Sequence, residues 1–294
     1  MFCGGIMAFN FTFKRFEKKY LLSPQQYAIV KAEVDKYFSP DKYGETKICN
    51  IYFDTPEYLL TVRSNDKPVF KEKLRLRTYG VPKDDTTAFI ELKRKYKSVV
   101  YKRRISMPYT EAVAYLTERN HSTSFKEQRG VNLAKLRLDT SLDKKHFLSL
   151  SSLSKEKPKN ENKFIKDAQI TKEIDYFMNL YTGIAPAFYI SYDRSAFFYN
   201  ETNDIRITFD KNITWRKDDL DLRHGSYGEQ LLPEGYTIME IKVPATVPLW
   251  LAELMTKNDI KPTSFSKVGT AYKNMISNEV NRKWNYSPAF SKKQ

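Results

Sequence analysis

An α+β fold, in which an antiparallel β-barrel tunnel of about eight strands carries flanking helices, is what this 294-residue sequence predicts. Three observations lead to it. Charged and apolar residues alternate with period two in several separated stretches, the mark of strands whose two faces meet different surroundings. The charge on those faces is unbalanced: residues 71–104 hold 12 Lys or Arg against 4 Asp or Glu, and the whole chain has a net charge of +15. Segments with helical spacing lie between the strand stretches, and no Pro- or Gly-rich linker separates them. Residues 10–280 therefore read as one domain, with a polar insertion near 120–163 and a loose tail at 281–294.

FTFKRFEKKYLL is the first strand, with Phe11, Phe13 and Phe16 apolar and Arg15, Glu17 and Lys19 sharing one face. Ser23-Pro24 then opens a helix, Ser as N-cap and Pro at the first helical position, and Tyr27, Val30, Val34, Tyr37 and Phe38 form its apolar side. SPDKYG ends it, and KICNIYFDTPEY is the second strand. Three strands joined by hairpins follow. Arg75 and Arg77 alternate with Leu74 and Leu76, Glu91 and Lys93 alternate with Ile90 and Leu92, and Lys102 and Arg104 bracket Arg103. The turns between them are VPKDD and KYKS. Arg103 has the opposite parity, so it points away from Lys102 and Arg104 and reads as a solvated charge.

A helix runs from about Thr110 to Arg119. LAKLRLDTSL has some strand character, and SLSSLSKEKPKNENK is a polar loop. Phe164, Ile165, Ile174, Phe177, Met178 and Tyr181 stripe a further helix that stops at Gly183. AFYISYDRSAFFY, DIRITFDKNI and YTIMEIKV are strands. The second of these sets Arg206, Thr208 and Asp210 against Ile205, Ile207 and Phe209, and the third sets Glu240 and Lys242 against Met239, Ile241 and Val243. Two helices close the chain, in VPLWLAELMTKN and in PTSFSKVGTAYKNMISNEV, with Ser266 and Lys267 at the start of the second.

The composition narrows the function. A hydrophobic share of 41% and an aromatic share of 14% supply a packed core. The excess of cations implies an acidic partner. Two cysteines, Cys3 and Cys49, are too few for a disulfide framework. Three histidines show no metal-ligand spacing. No apolar run has the length of a membrane span, and MFCGGIMAFN is not a signal peptide, so a cytoplasmic location is expected.

Any one of these strands alone would read as an ordinary sheet with a solvated outer face. Seven of them would crowd their cations on one surface, where like charges repel. Closing the sheet turns the charged faces into a lumen. Lys19, Arg75, Arg77, Lys93, Lys102, Arg104, Arg194 and Arg206 would then face phosphate oxygens, which Arg matches bidentately. Glu17, Glu91, Asp210 and Glu240 would offer oxygens to a hard divalent cation. Nucleic acid fits less well, because it calls for cations and aromatics spread over an outer surface.

The pieces FEKKYLLSP, NIYFDT, RLRTYG, FIELK, VYKRR, YDRSAF, IRITFD, MEIKV and SFSKVG, spanning roughly residues 13 to 272, resemble the polyphosphate polymerase (VTC) domain of the triphosphate tunnel superfamily, which includes the CYTH proteins. The resemblance implies phosphate ligands at Lys19, Arg75, Arg77, Lys93, Lys102, Arg194, Arg206 and Lys267, and a metal-holding carboxylate at Glu240. It implies ATP and inorganic polyphosphate as partners, Mn²⁺ or Mg²⁺ as cofactor, and Arg75, Arg77, Lys93, Glu240 and Lys267 as the catalytic set. The Glu-x-Glu-x-Lys of tunnel hydrolases stands here as Arg15-Phe16-Glu17-Lys18-Lys19, without its first carboxylate. That points to a polymerase rather than a tunnel triphosphatase. A non-catalytic polyphosphate-binding module is the remaining alternative.

Overall fold

The structure, a computed structural model, describes residues 16–66, 68–97, 99–118 and 161–285. Phe11 and Phe13 of the first predicted strand, the strand-like LAKLRLDTSL, nearly all of the polar insertion and the last nine residues lie outside them. The first elements are β1 (Phe16–Leu22), α1 (Pro24–Tyr37), β2 (Phe38–Pro40), β3 (Thr46–Asp54) and α2 (Leu59–Asn65). Then come β4 (Phe70–Tyr79), β5 (Thr87–Tyr96), β6 (Val99–Pro108), α3 (Tyr109–Glu118) and α4 (Glu161–Leu180). The chain continues with β7 (Ala185–Tyr199), β8 (Arg206–Arg216), a 3₁₀ turn (Leu222–His224) and β9 (Glu229–Gln230). It ends with β10 (Thr237–Val243), α5 (Leu249–Lys257), β11 (Pro262–Thr263) and α6 (Lys267–Asn285).

The α+β expectation holds, and the large sheet is antiparallel, but the sheet does not close and it has more strands than eight. The 11 strands among the described residues run in the order β11-β1-β10-β8-β7-β3-β4-β5-β6, with β2 beside β7 and β9 beside β8. The additional strands β2, β9 and β11 have 3, 2 and 2 residues, too short for any period to show. β11 pairs with β1 through Lys19↔Thr263 and Tyr20↔Pro262 only. Pro262 lacks an N–H and is at home on a sheet edge.

The chain forms two compact units, of which the larger comprises residues 46–193, 212–234 and 265–294. In it β3, β4, β5 and β6 make a meander in which Leu74 pairs with Leu92 and Leu76 with Ile90. These leucines and isoleucines, with Ile105, bury completely or nearly so against Tyr109, Ala112 and Leu116 of α3 and Ile170, Ile174, Phe177 and Met178 of α4. The predicted helical stripe is therefore core, apart from Phe164 and Ile165, whose side chains lie outside the described residues. Beyond α4 the chain turns at Gly183, whose φ of +74° lies in the left-handed region that favours glycine.

The core face of this meander also carries charge. Arg94 donates to Glu72 at 2.6 Å and to Glu173 of α4 at 2.7 Å, and Tyr181 donates to Glu72 at 2.9 Å. Arg103, read from sequence as a solvated charge, does point away from Lys102 and Arg104, but it lies 3.3 Å from Glu173. Parity gave its direction, whereas its partner comes from a helix 70 residues away in sequence. Asp54 is a turn former: its carboxylate accepts from the backbone N–H groups of Thr55, Leu60 and Thr61 at 2.8–2.9 Å and so opens α2.

The smaller unit comprises residues 1–45, 194–211 and 235–264. Ser23 caps α1 with Pro24 in its first turn, as the sequence predicts, and Gln26 completes a reciprocal capping box. Val30 and Val34 of α1 pack with Phe38, Phe197, Ile207, Phe209, Met239, Ile241 and Leu251. Burying them holds β1, β8 and β10 in register, Lys19 opposite Glu240 and Glu240 opposite Thr208.

Candidate functional site

The face of β4, β5 and β6 opposite the core presents rows of charged partners. Lys73, Lys93 and Lys102 stand directly opposite one another, and in the next row so do Arg75, Glu91 and Arg104. Like charges placed opposite each other destabilise a sheet. On these three strands the face sets Lys73, Arg75, Arg77, Lys93, Lys102 and Arg104 against one carboxylate, Glu91.

Glu91 is 1% exposed and is the hub of the cluster. Arg75 donates to its Oε2 from Nε and Nη2 at 2.8 and 2.6 Å. Lys102 Nζ and Arg104 Nε lie 2.7 and 2.9 Å from Oε1, and Arg77 Nη1 lies 3.8 Å from Oε2. Burial pushes the carboxyl's pKa up, but Arg75, Arg77 and Lys102 outweigh it and hold it well below the usual carboxylate range. A carboxylate shared among four cations is their counterion, so the suggested oxygen for a metal is engaged here with arginine and lysine.

Uncharged oxygens fix the rest of the geometry. Arg75 donates to the Tyr52 hydroxyl at 3.0 Å, and Arg77 donates to Asn50 Oδ1 at 2.8 Å and to the Tyr192 hydroxyl at 3.0 Å. Asn50 in turn donates to the Ile190 carbonyl at 2.9 Å, which sets its amide so that Oδ1 faces Arg77. Arg104 donates to the Tyr79 hydroxyl at 2.9 Å and lies over the Phe89 ring at 3.9 Å. Burial raises the Tyr79 pKa, but the hydrogen bond and charge of Arg104 outweigh it and bring it down. Lys73 reaches Ser266 at 3.0 Å, and Lys267 lies 4.3 Å from the centre of the Tyr192 ring. The structure thus brings Arg75, Arg77, Lys102, Arg104 and Lys267 into one contact network, with Lys93 in the adjoining row. Sequence reasoning missed Asn50, Tyr52 and Tyr192. The spacing of two between Asn50 and Tyr52 was the visible signal, and only the register with Arg77 and Arg75 gives it meaning.

The smaller unit holds a second charged group. Lys242 Nζ is 2.9 Å from Glu240 and 3.8 Å from Glu17, while Lys19 Nζ is 3.1 Å from Glu17 and 3.8 Å from Glu240. Two carboxylates and two ammonium groups alternate in a ring. Burial raises the Glu240 pKa, but Lys242, Lys19 and Arg194 outweigh it and bring it to about 2. Arg194 holds Asp210 bidentately at 2.6 and 2.7 Å, and Arg206 turns to Asp41 at 3.7 Å and to the Phe198 ring at 5.2 Å. Among the described residues no three His, Cys, Asp or Glu side chains converge as a metal cage. Glu240 and Glu17 are each held by Lys19 and Lys242, and a hard divalent cation is of the kind that takes one or two carboxylates and completes its shell with phosphate and water oxygens.

Fold and site define an antiparallel-sheet protein that sets lysine and arginine rows against few internal anions. The VTC domain family model matches residues 14–276, nearly the whole chain, and the chain belongs to that family. No curated protein matches it. A solved Hippeastrum protein, described as a candidate adenylyl cyclase with a dominant triphosphatase activity, has a TM-score of 0.44 and 12% identity over 89% of this chain and 96% of its own. A candidate adenylate cyclase of Bacillus halodurans has a TM-score of 0.42 and 12% identity over 85% and 92%. One from Vibrio parahaemolyticus has 0.38 and 11% over 90% and 97%. No described helix is long and apolar enough to cross a membrane.

Proposed function

We propose that this protein is a polyphosphate polymerase, which transfers the terminal phosphoryl group of ATP to the end of a growing inorganic polyphosphate chain. The observation that carries the reading is the row Lys73–Lys93–Lys102 beside Arg75 and Arg104, in which cations stand opposite cations with one carboxylate among them. Such an arrangement is stabilised by a polyanion. In the transfer, a terminal oxygen of the chain attacks the γ-phosphorus and the bond to ADP breaks. The attacking oxygen is already anionic, so no strong general base is required. The work is positioning and charge neutralisation. Arg75, Arg77, Lys93, Lys102, Arg104 and Lys267 would hold non-bridging oxygens in the larger unit, where charge develops, and Lys19, Arg194 and Arg206 would serve as phosphate ligands in the smaller one. Glu240, with Glu17 beside it, would hold Mn²⁺ or Mg²⁺, which when bound neutralises phosphate charge.

Ligand-dependent unfolding tests the site. At tripolyphosphate concentrations about 100 times the dissociation constant, the fold should gain about 2.7 kcal/mol. Thermal unfolding in low salt reads the shift, and an unchanged midpoint at millimolar tripolyphosphate would overturn the assignment of these cations to phosphate.

A further inference from the structure

Tyr52 has no part in the reaction just described, yet it occupies a position inside the cation cluster of the larger unit. It is 8% exposed, on β3, directly opposite Arg75 of β4. Its oxygen accepts from Arg75 Nη1 at 3.0 Å, and the Arg75 guanidinium carbon lies 5.8 Å from its ring centre. Because the phenol oxygen is the acceptor in that bond, its own proton plays no part in it and is open to loss.

Among the described residues, the charged groups on the strands beside it are mostly cations. Lys73 and Arg77 lie on β4 to either side of Arg75. Glu91 and Lys93 lie on β5, and Lys102 and Arg104 on β6. From β7 the Tyr192 hydroxyl accepts from Arg77, and Lys267 at the start of α6 lies over the Tyr192 ring. Asn50, two residues along β3, is neutral and bonded to Arg77. With Arg75 donating to the Tyr52 oxygen and Arg77 and Lys73 on the same strand, an anion at that oxygen is favoured by its surroundings.

We infer that Tyr52 is a proton-linked counterion of the phosphate site: ionised, it stands in for a ligand oxygen, and it takes up a proton from solvent when a phosphate chain binds. This rests on the reading of the cluster as a phosphate site. The titration agrees in direction. Burial raises the phenol's pKa, but Arg75, Arg77 and Lys73 outweigh it and bring it to about 7. Phosphate oxygens arriving beside those cations offset their charge and send the pKa back up. Binding therefore consumes a proton above pH 7 and none well below it. Relative to Tyr52→Phe, wild-type affinity for tripolyphosphate should fall about tenfold between pH 6 and pH 8. The ligand's own titration is common to both proteins and drops out of the comparison.

The direct readout is the near-ultraviolet phenolate band. One tyrosine of the wild type should ionise near neutral pH, Tyr52→Phe should lack that step, and tripolyphosphate added at pH 8 should remove the band. A wild type with no early-ionising tyrosine, or one whose early step survives in Tyr52→Phe, would overturn the inference. So would a band that persists while tripolyphosphate still raises the unfolding midpoint, and in that case the phosphate site itself would stand. Loss of tripolyphosphate binding altogether would remove the site reading and this inference together. The wild-type bleaching experiment needs no variant, so it decides the matter even if Tyr52→Phe folds poorly.

Discussion

Replacing Arg75 and Arg77 together by alanine is expected to lower tripolyphosphate affinity by about 10²–10⁴-fold. Each arginine offers five N–H donors in a planar fork, and the partners Glu91, Tyr52, Asn50 and Tyr192 position that fork without using all of it. A hydrogen bond to a charged group contributes about 1.5–3 kcal/mol, and two such losses give the range above. Calorimetric titration with tripolyphosphate checks it, alongside circular dichroism to show that the sheet survives. Glu91 keeps Lys102 and Arg104 in the double variant, so its burial remains compensated. An affinity within about threefold of wild type would mean that these arginines serve Glu91 and the fold rather than a ligand.

Glu240→Gln is expected to separate the metal from the phosphate. It preserves size and removes the charge that a divalent cation needs, so metal-dependent turnover should fall at least about a hundredfold. Binding of tripolyphosphate in the presence of a chelator should change little, because Arg75, Arg77 and Lys102 are untouched. In the structure Lys19 and Lys242 are positioned between Glu240 and Glu17, the place a divalent cation would share with phosphate oxygens. Metal titrations of turnover and of binding, run on both proteins, give the comparison. Near-normal metal-dependent turnover in Glu240→Gln would show that the cation is held elsewhere.

Much of the fold was legible because period two is a local property. The alternation in β4, β5, β8 and β10 fixes which residues face the core, and Leu74, Leu76, Ile90, Leu92, Ile207 and Met239 are buried as it requires. The same rule gave the direction of Arg103, and the Ser23-Pro24 start of α1 needed only those two residues to be read. What could not be read depends on partners far apart in sequence. Glu91 looked like a metal ligand because its four cations come from two other strands through the register. Glu72 and Glu173 both pair with Arg94 on the core face, where a binary pattern allows only apolar residues. Helix α2 has 7 residues and begins on the carboxylate of Asp54, so neither its period nor its cap stood out. The closed barrel failed for a related reason. Closure depends on which edges meet, and β11, with two residues and a proline, carries no alternation to reveal itself as an edge.

The central claim is polymer formation, and product analysis tests it most directly. The protein, incubated with γ-labelled ATP and Mn²⁺ or Mg²⁺, should release ADP and place the label in acid-insoluble chains that form a ladder on a gel, with little orthophosphate. Stoichiometric labelled orthophosphate with no ladder would contradict the account and identify a triphosphatase. Tight tripolyphosphate binding with neither product would contradict it as well, and leave a polyphosphate-binding module.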